Sequence, residues 1–280
     1  MSPKSLGRIA LAVFRESVRE RVLYNLAGFA LLVIGASYLI GQMTAGQDVK
    51  IIKDLGLSAM AIFGLFIAIF IGIGLVSKEI ERRSIYSLIA KPVRRSELVV
   101  GKFLGLALTV AINLAVMTVV WYGVLAYMSW SEIDLVKKGW EAPAADPRLL
   151  VAVYLLFVQL VLVIALALFF STFAEPLWAT VFTFGLYVAG HFSADLKHFD
   201  VIVGDSPVRY VTTGLYYLLP NMATFDVKNA VVHAQLVPYG YVLTATAYGA
   251  FYSLALVAAA VLIFSKKDFK WSPRLGGRSA

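Results

Sequence analysis

The sequence of 280 residues contains no cysteine, which excludes disulfide bonds and thiolate metal sites. Charged residues are also scarce, at 15% of the chain, whereas 60% of the residues are hydrophobic and the mean hydropathy is +0.80. A soluble domain of this length could not bury so much apolar surface. We therefore expect much of the chain to lie in lipid.

Motifs for nucleotide binding and catalysis are missing as well. Gly101-Lys102 is followed by Phe103 and has no glycine five residues earlier, so no G-x-x-x-x-G-K-[ST] loop occurs. No Ser-His-Asp, Cys-His or H-E-x-x-H pattern is present either. The sequence thus predicts no catalytic residue, and any energy for transport must come from a partner protein or an ion gradient.

A metal site is not predicted. The three histidines, His191, His198 and His233, are scattered, and a zinc or copper site would need them to converge with carboxylates such as Asp195 or Asp200. The six methionines are not clustered, so they offer no soft-ligand path for copper.

Six apolar runs have lengths close to the roughly 20 residues that a helix needs to cross a bilayer. They cover about 22–44, 55–76, 103–128, 149–172, 174–192 and 241–264. The predicted fold class is therefore an all-α membrane protein with six transmembrane helices in a single domain, 1–280. Of the 25 Lys and Arg residues, 17 lie in 1–21, 77–102 and the C-terminal tail, so both termini are expected in the cytoplasm.

The net charge of +8 lies in short segments between apolar runs, which is typical of membrane topology and not of nucleic-acid binding. No ionisable residue lies in the middle of a predicted span, which weighs against an ion-coupled carrier. Asn113 and Gln159 are the clearest central polar residues. We expect hydrogen bonds between helices, worth roughly 0.6 kcal/mol each, or, as the alternative, a place in a substrate path.

Two segments outside the spans have unusual apolar patterns. Residues 1–21 have apolar side chains at helical spacing opposite five cations, which favours an amphipathic helix at the cytoplasmic interface over a disordered basic leader. Within the outer loop, 193–240, the residues at 210–240 are mostly apolar. It is interpreted as a helical hairpin dipping into the outer leaflet as part of an exit gate, with plain packing on the bundle as the alternative. The candidate gate residues are Leu218, Leu219, Pro220, Asn221 and Phe225.

The basic loop, 77–102, is the strongest candidate for a contact with another protein. Ile85, Leu88 and Ile89 lie at helical spacing, so 79–90 is predicted as a short helix that ends before Pro92. Ser96 is the predicted N-cap of the following helix, with Glu97 in its first turn. The loop would suit docking into a cleft of a cytoplasmic partner, although an ordinary positive-inside loop has the same charge.

Small residues suggest where helices approach one another. Gly101 and Gly105 form a G-x-x-x-G pattern, and Gly64, Gly72 and Gly74 thin one side of the second span. Such glycines allow close contact within the bundle or at a dimer seam.

Four stretches, taken in order, carry a resemblance to a known family: KEIERRSIYSLIAKPVRRSELVVGK at 78–102, STFAEPLWAT at 171–180, YYLLPNMATFDVKNAVVH at 216–233 and KKDF at 266–269. With the six-span layout, they resemble the type-2 ATP-binding-cassette permeases. The branch that includes the permease of the copper-enzyme maturation exporter is the most similar. The absence of soft ligands means that this branch does not imply a copper substrate.

The resemblance implies a dimer of permeases in a bacterial inner membrane, with two cytoplasmic ATPase subunits that bind ATP and magnesium. It also implies a helix that couples ATPase closure to the spans, and a second contact at the Glu175-Pro176 turn, for which a tight hairpin is the alternative. The residues that this assigns to ATPase coupling are Glu79, Glu81, Arg82, Arg83, Ser84, Ile85, Tyr86, Leu88 and Glu175.

The leading hypothesis is therefore a permease subunit of an ATP-driven exporter that works as a homodimer. An ion-coupled carrier or channel is the alternative, and a membrane enzyme acting on lipid-linked substrates is a distant third. The cargo is not named by the sequence, and a periplasmic accessory protein could deliver or receive it.

Overall fold

The structure, a computed structural model, describes residues 3–43, 48–81, 95–137, 140, 142–193 and 219–266. These residues form helices and the segments that connect them, which confirms the all-α class. The helices are α1 (Pro3–Val18), α2 (Arg21–Gln42), α3 (Asp48–Glu81), α4 (Arg95–Ser131), α5 (Asp134–Lys137), α6 (Leu149–Ser171), α7 (Pro176–His191), a 3₁₀ helix (Met222–Phe225), α8 (Lys228–Val232) and α9 (Tyr239–Lys266).

Within the described residues, five helices are long and apolar enough to cross a membrane: α2, α3, α4, α6 and α9. The predicted fifth span corresponds to α7, which has 16 residues and a length of about 24 Å, less than the roughly 30 Å of a hydrocarbon core. A multi-pass membrane protein is thus supported, whereas six crossings stay a prediction.

The centre of the bundle consists of α3 and α6, which pack against each other and against α4. In both α3 and α6, 67% of the most apolar stretch is buried inside the protein, compared with 22% in α2 and α9. Because α6 is apolar all round, it suits a central position. The outer surfaces of α2 and α9 are left for lipid or another chain.

Helix α1 packs along the beginning of α4, where the two glycines of the G-x-x-x-G pattern lie. A Cβ at Gly101 would lie 2.5 Å from Cγ2 of Ile9, and a Cβ at Gly105 would lie 2.6 Å from the carbonyl oxygen of Ala10. The Ser5 hydroxyl donates a hydrogen bond to the Glu97 carboxylate at 3.2 Å. These glycines therefore serve a contact within one chain, and the location of α1 at a membrane interface stays a prediction.

The opposite end of the bundle is tied together by polar contacts of α3. We call it the Lys53 end. Lys53 is only 1% exposed, and its ammonium donates to the Pro143 carbonyl at 2.9 Å. The fully buried Trp121 of α4 donates its indole N–H to the Ile52 carbonyl at 3.1 Å, and only a glycine at position 56 leaves room for this ring.

Two helix boundaries differ from the sequence expectations. Helix α3 begins at Asp48 and not near Leu55, so Lys53 lies in a helix and is not in an outer loop. The neighbouring segment makes this possible because the Pro143 carbonyl accepts a bond from the lysine. Helix α4 begins at Arg95, which places Ser96 inside the helix, with Glu97 in its first turn as expected.

The α1–α4 contact can be tested with two glycines of the same helix. Gly105→Ala is expected to destabilise the protein by about 1–3 kcal/mol, because its new methyl group meets the backbone of α1. Gly123→Ala, with no atom within 4 Å of its Cβ, should be neutral or stabilising by up to about 1 kcal/mol. Denaturant unfolding in detergent measures both, and equal effects would show that α1 does not rest on Gly105.

Candidate functional site

Most of the predicted coupling residues cannot be placed. Arg82, Arg83, Ser84, Ile85, Tyr86 and Leu88 lie outside the described residues. The backbone at Glu79 and Glu81 belongs to the last turns of α3, which continues without a break from the predicted second span. Glu175 is exposed at the N-cap of α7 and makes no side-chain capping bond there.

The structure separates the two central polar residues. Asn113 donates from Nδ2 to the carbonyl of Thr109 in its own helix at 2.8 Å, so this bond does not join two helices. The Asn113 side chain borders a void between α3, α4 and α6 that is too small for a water molecule. Gly64 and Leu160 also line this void. Gln159 does not line this void, and its contacts are of a different kind.

Gln159 is 4% exposed and binds two other segments of the chain. Its Nε2 donates to the carbonyl of Met222 at 3.2 Å and lies 3.2 Å from Nε2 of His191. The expected hydrogen bond between helices is thus present at Gln159. Since Gln159 is ten residues into α6, about 15 Å from its first residue, the 3₁₀ helix reaches well down into the bundle.

These contacts define the tautomer of His191. The Met222 carbonyl can only accept, so the amide nitrogen of Gln159 must face it, and its second hydrogen then points to Nε2 of His191. That ring nitrogen therefore accepts. The other, Nδ1, lies 3.0 Å from the carbonyl of Tyr187, which also only accepts, so Nδ1 carries the hydrogen. Both contacts require the same neutral tautomer.

The segment that holds the predicted gate residues packs closely on α6, α7 and α9. Pro220 and Phe225 are buried, Leu219 and Asn221 are half-buried, and Leu218 lies outside the described residues. The backbone N–H of Asn221 donates to the Tyr248 hydroxyl at 2.8 Å, while Asn221 Oδ1 is buried with no hydrogen-bond partner among the described residues.

Two glycines let this segment approach the helices. A Cβ at Gly190 would lie 2.5 Å from the Pro220 carbonyl, and one at Gly249 would lie 3.1 Å from the Phe225 ring. The described part of the segment is therefore a 3₁₀ helix and a short α8 seated on the bundle, and a hairpin that dips into the membrane stays a prediction.

An ion pair joins this segment to α3 at the Lys53 end. The Lys228 ammonium lies 3.3 Å from the Asp54 carboxylate and donates to the Ser58 hydroxyl at 2.9 Å. Sequence reasoning did not select these residues. The sequence does contain a signal for this ion pair: Lys228 is a lone lysine in an apolar stretch, and Asp54 is an acid at the start of the second span.

A cavity of about 110 Å³ lies between α3, α6, α7 and the segment 225–228. Its polar lining consists of Ser58, Gln159, Tyr187, His191, Asp226 and Lys228. The rest of the lining is aliphatic or aromatic, from residues such as Leu57, Leu156 and Phe225. Because it has room for several waters and convergent polar groups, it is a candidate binding site.

The histidines do not converge. His191 lines the cavity, His233 is exposed at the end of α8, and His198 lies outside the described residues. Among the residues that were placed, no three His, Asp or Glu side chains are grouped so that they could hold a metal ion.

Comparison with known proteins identifies a family. The family model described as "ABC-2 family transporter protein" matches residues 8–269, nearly the whole chain. No curated protein matches the sequence.

The Gln159 contacts predict a local effect of substitution. Gln159→Met removes the hydrogen-bond donor to Met222 with little change in side-chain volume. Because the hydrogen bond to the Met222 carbonyl contributes roughly 1 kcal/mol, we expect amide hydrogen exchange over 222–225 to become at least about fivefold faster. Asn113→Leu is the matched control, since its bond stays within α4. Unchanged exchange in Gln159→Met would contradict the anchoring role.

Proposed function

The chain belongs to the ABC-2 transporter family, and we propose that it is the permease of an exporter. As a member of this family, it is a membrane subunit of an ATP-binding-cassette transporter and needs an ATPase partner. In this proposal two copies form a homodimer and bind two cytoplasmic ATPase subunits, which supply ATP and magnesium. The membrane is a bacterial inner membrane. The branch that includes the copper-enzyme maturation permease remains our assignment, on the resemblance of residues 78–102.

The observation that carries the proposal is that α3 and α4, which follow each other in the sequence with residues 82–94 of the basic loop between them, pack against each other. An ATPase that moved this loop would therefore act on both helices at once. The candidate coupling residues 79–88, with Glu175 as a second contact, are assigned to this role.

The fastening of α1 to α4 supports the same mechanism. Gly101, Gly105 and the Ser5–Glu97 hydrogen bond hold α1 against the first turns of α4, next to the loop. Motion of α4 would then carry α1 with it along the cytoplasmic surface.

At the Lys53 end, the segment 219–232 would form the outer gate. Its 3₁₀ helix bonds to Gln159, ten residues into α6, which favours a segment that enters the outer leaflet over one that rests on the surface. Non-helical backbone is tolerated at such depth only where it is buried in protein or lines a cavity, and Pro220 and Met222 are buried. Helix α7 would complete the sixth crossing.

The docking assignment predicts the outcome of co-purification. With the ATPase from the neighbouring gene co-expressed, Arg82→Gln/Arg83→Gln/Ile85→Ala should reduce the retained ATPase at least about tenfold, since a few anchor residues dominate an interface. The control is Lys50→Gln/Lys137→Gln/Ile133→Ala, which likewise removes two cations and truncates one isoleucine, at the Lys53 end. Equal retention by both variants would show that the ATPase docks elsewhere.

The six-span layout predicts the sidedness of single cysteines, which the cysteine-free chain makes unambiguous. Cysteines at Arg94, Glu175 and Lys267 should react with an impermeant maleimide from the cytoplasmic side, and one at His233 from the opposite side. If α7 did not cross, Lys267 and Arg94 would label from different sides.

A further inference from the structure

The side-chain oxygen of Gln159 is the starting point for a ligand site in the 110 Å³ cavity. Both hydrogens of the amide nitrogen are committed, one to Met222 and one to His191. The carbonyl oxygen, Oε1, must point away from these partners, and it accepts no hydrogen bond from any described residue. Gln159 lines the cavity while being 96% buried. An acceptor that faces the cavity in this way is available to a donor group of a ligand.

Two further cavity groups are acceptors with capacity to spare. The Tyr187 hydroxyl makes no hydrogen bond to the residues that the structure places. Asp226 uses Oδ1 to accept the backbone N–H of Lys228 at 3.1 Å, which leaves Oδ2 for a ligand. By contrast, two of the three N–H groups of the Lys228 ammonium are directed to Asp54 and Ser58.

The net charge of the groups around the cavity is negative, which suits a ligand that donates hydrogen bonds. Asp226 and Lys228 line the cavity and Asp54 pairs with Lys228, so these three groups together sum to minus one. An anion would meet an excess of acceptors, whereas a cation with several N–H groups would complement them.

The size of the cavity and its apolar walls limit the ligand further. About 110 Å³ holds a few atoms beyond an ammonium group, and Leu57, Leu156 and Phe225 provide a surface for methylene groups. We propose that this cavity binds a primary ammonium group on a short carbon chain, with Gln159 Oε1, the Tyr187 hydroxyl and the Asp226 carboxylate as the acceptors. A free alkylamine and the headgroup of an aminophospholipid share this chemistry. The proposal concerns binding alone and stands independently of ATPase docking.

The experiment uses the full chain in nanodiscs of phosphatidylcholine, titrated with ethanolamine and followed by ligand-observed NMR. Ethanolamine should bind with a Kd between about 0.1 and 10 mM, the range that so few atoms allow. Choline, which has the same charge but no N–H donor, should not compete, and acetate should not bind.

Two isosteric variants locate the site. Asp226→Asn removes the charge and should weaken ethanolamine binding at least fivefold, and Tyr187→Phe should weaken it by a smaller factor. The control Glu132→Gln makes the same chemical change at the end of α4, away from the cavity, and should leave the affinity unchanged. Thermal unfolding of each variant verifies that the fold is retained.

A second set of nanodiscs that contain phosphatidylethanolamine separates the two sources. A weaker apparent affinity for ethanolamine there identifies the lipid headgroup as the occupant, whereas an unchanged affinity identifies a soluble amine. The proposal is overturned if ethanolamine does not bind, if choline competes equally, or if Asp226→Asn binds like the wild type while folded.

Discussion

A hydrogen bond from the amide of Gln159 to a backbone carbonyl is the contact on which the Lys53 end of the bundle depends. The segment around Met222 is not α-helical, yet it lies beside the middle of the most apolar helix. A carbonyl group at that depth needs a donor from the protein. Gln159 provides it, and the same nitrogen fixes the ring of His191, so one side chain joins α6, α7 and the 3₁₀ helix.

Much of the fold could be predicted because hydropathy and charge follow simple rules in membranes. The apolar runs over 22–44, 103–128, 149–172 and 241–264 each fall on a long helix of the structure, and the periodic apolar face of residues 1–21 falls on α1. The beginning of α3 was harder to predict. Lys53 resembled a loop residue, and the Pro143 carbonyl that accepts its hydrogen bond in the helix lies 90 positions away in the sequence.

The candidate site was predicted only in part for the same reason. Gln159 was selected because a lone amide in an apolar helix is conspicuous, but nothing in its neighbourhood in the sequence indicates Met222 or His191 as its partners. The glycines of the G-x-x-x-G pattern showed that something approaches closely without showing what, and the structure identifies α1. Sequence patterns therefore identify residues such as Gln159 and these glycines, whereas contacts between distant parts of the chain determine their roles.

Helix α3 runs without a break between the two ends of the molecule, so a rotation at one end displaces the residues at the other end. From Asp54 to Glu81 the helix is about 40 Å long, so a rotation of only about 5° at the loop would displace Asp54 by roughly 3.5 Å. The carboxylate of Asp54 lies 3.3 Å from the Lys228 ammonium, and a displacement of this size away from Lys228 would carry their separation beyond the roughly 4 Å within which an ion pair stays in contact. A small rotation of α3 would thus release α8 from α3 at Asp54.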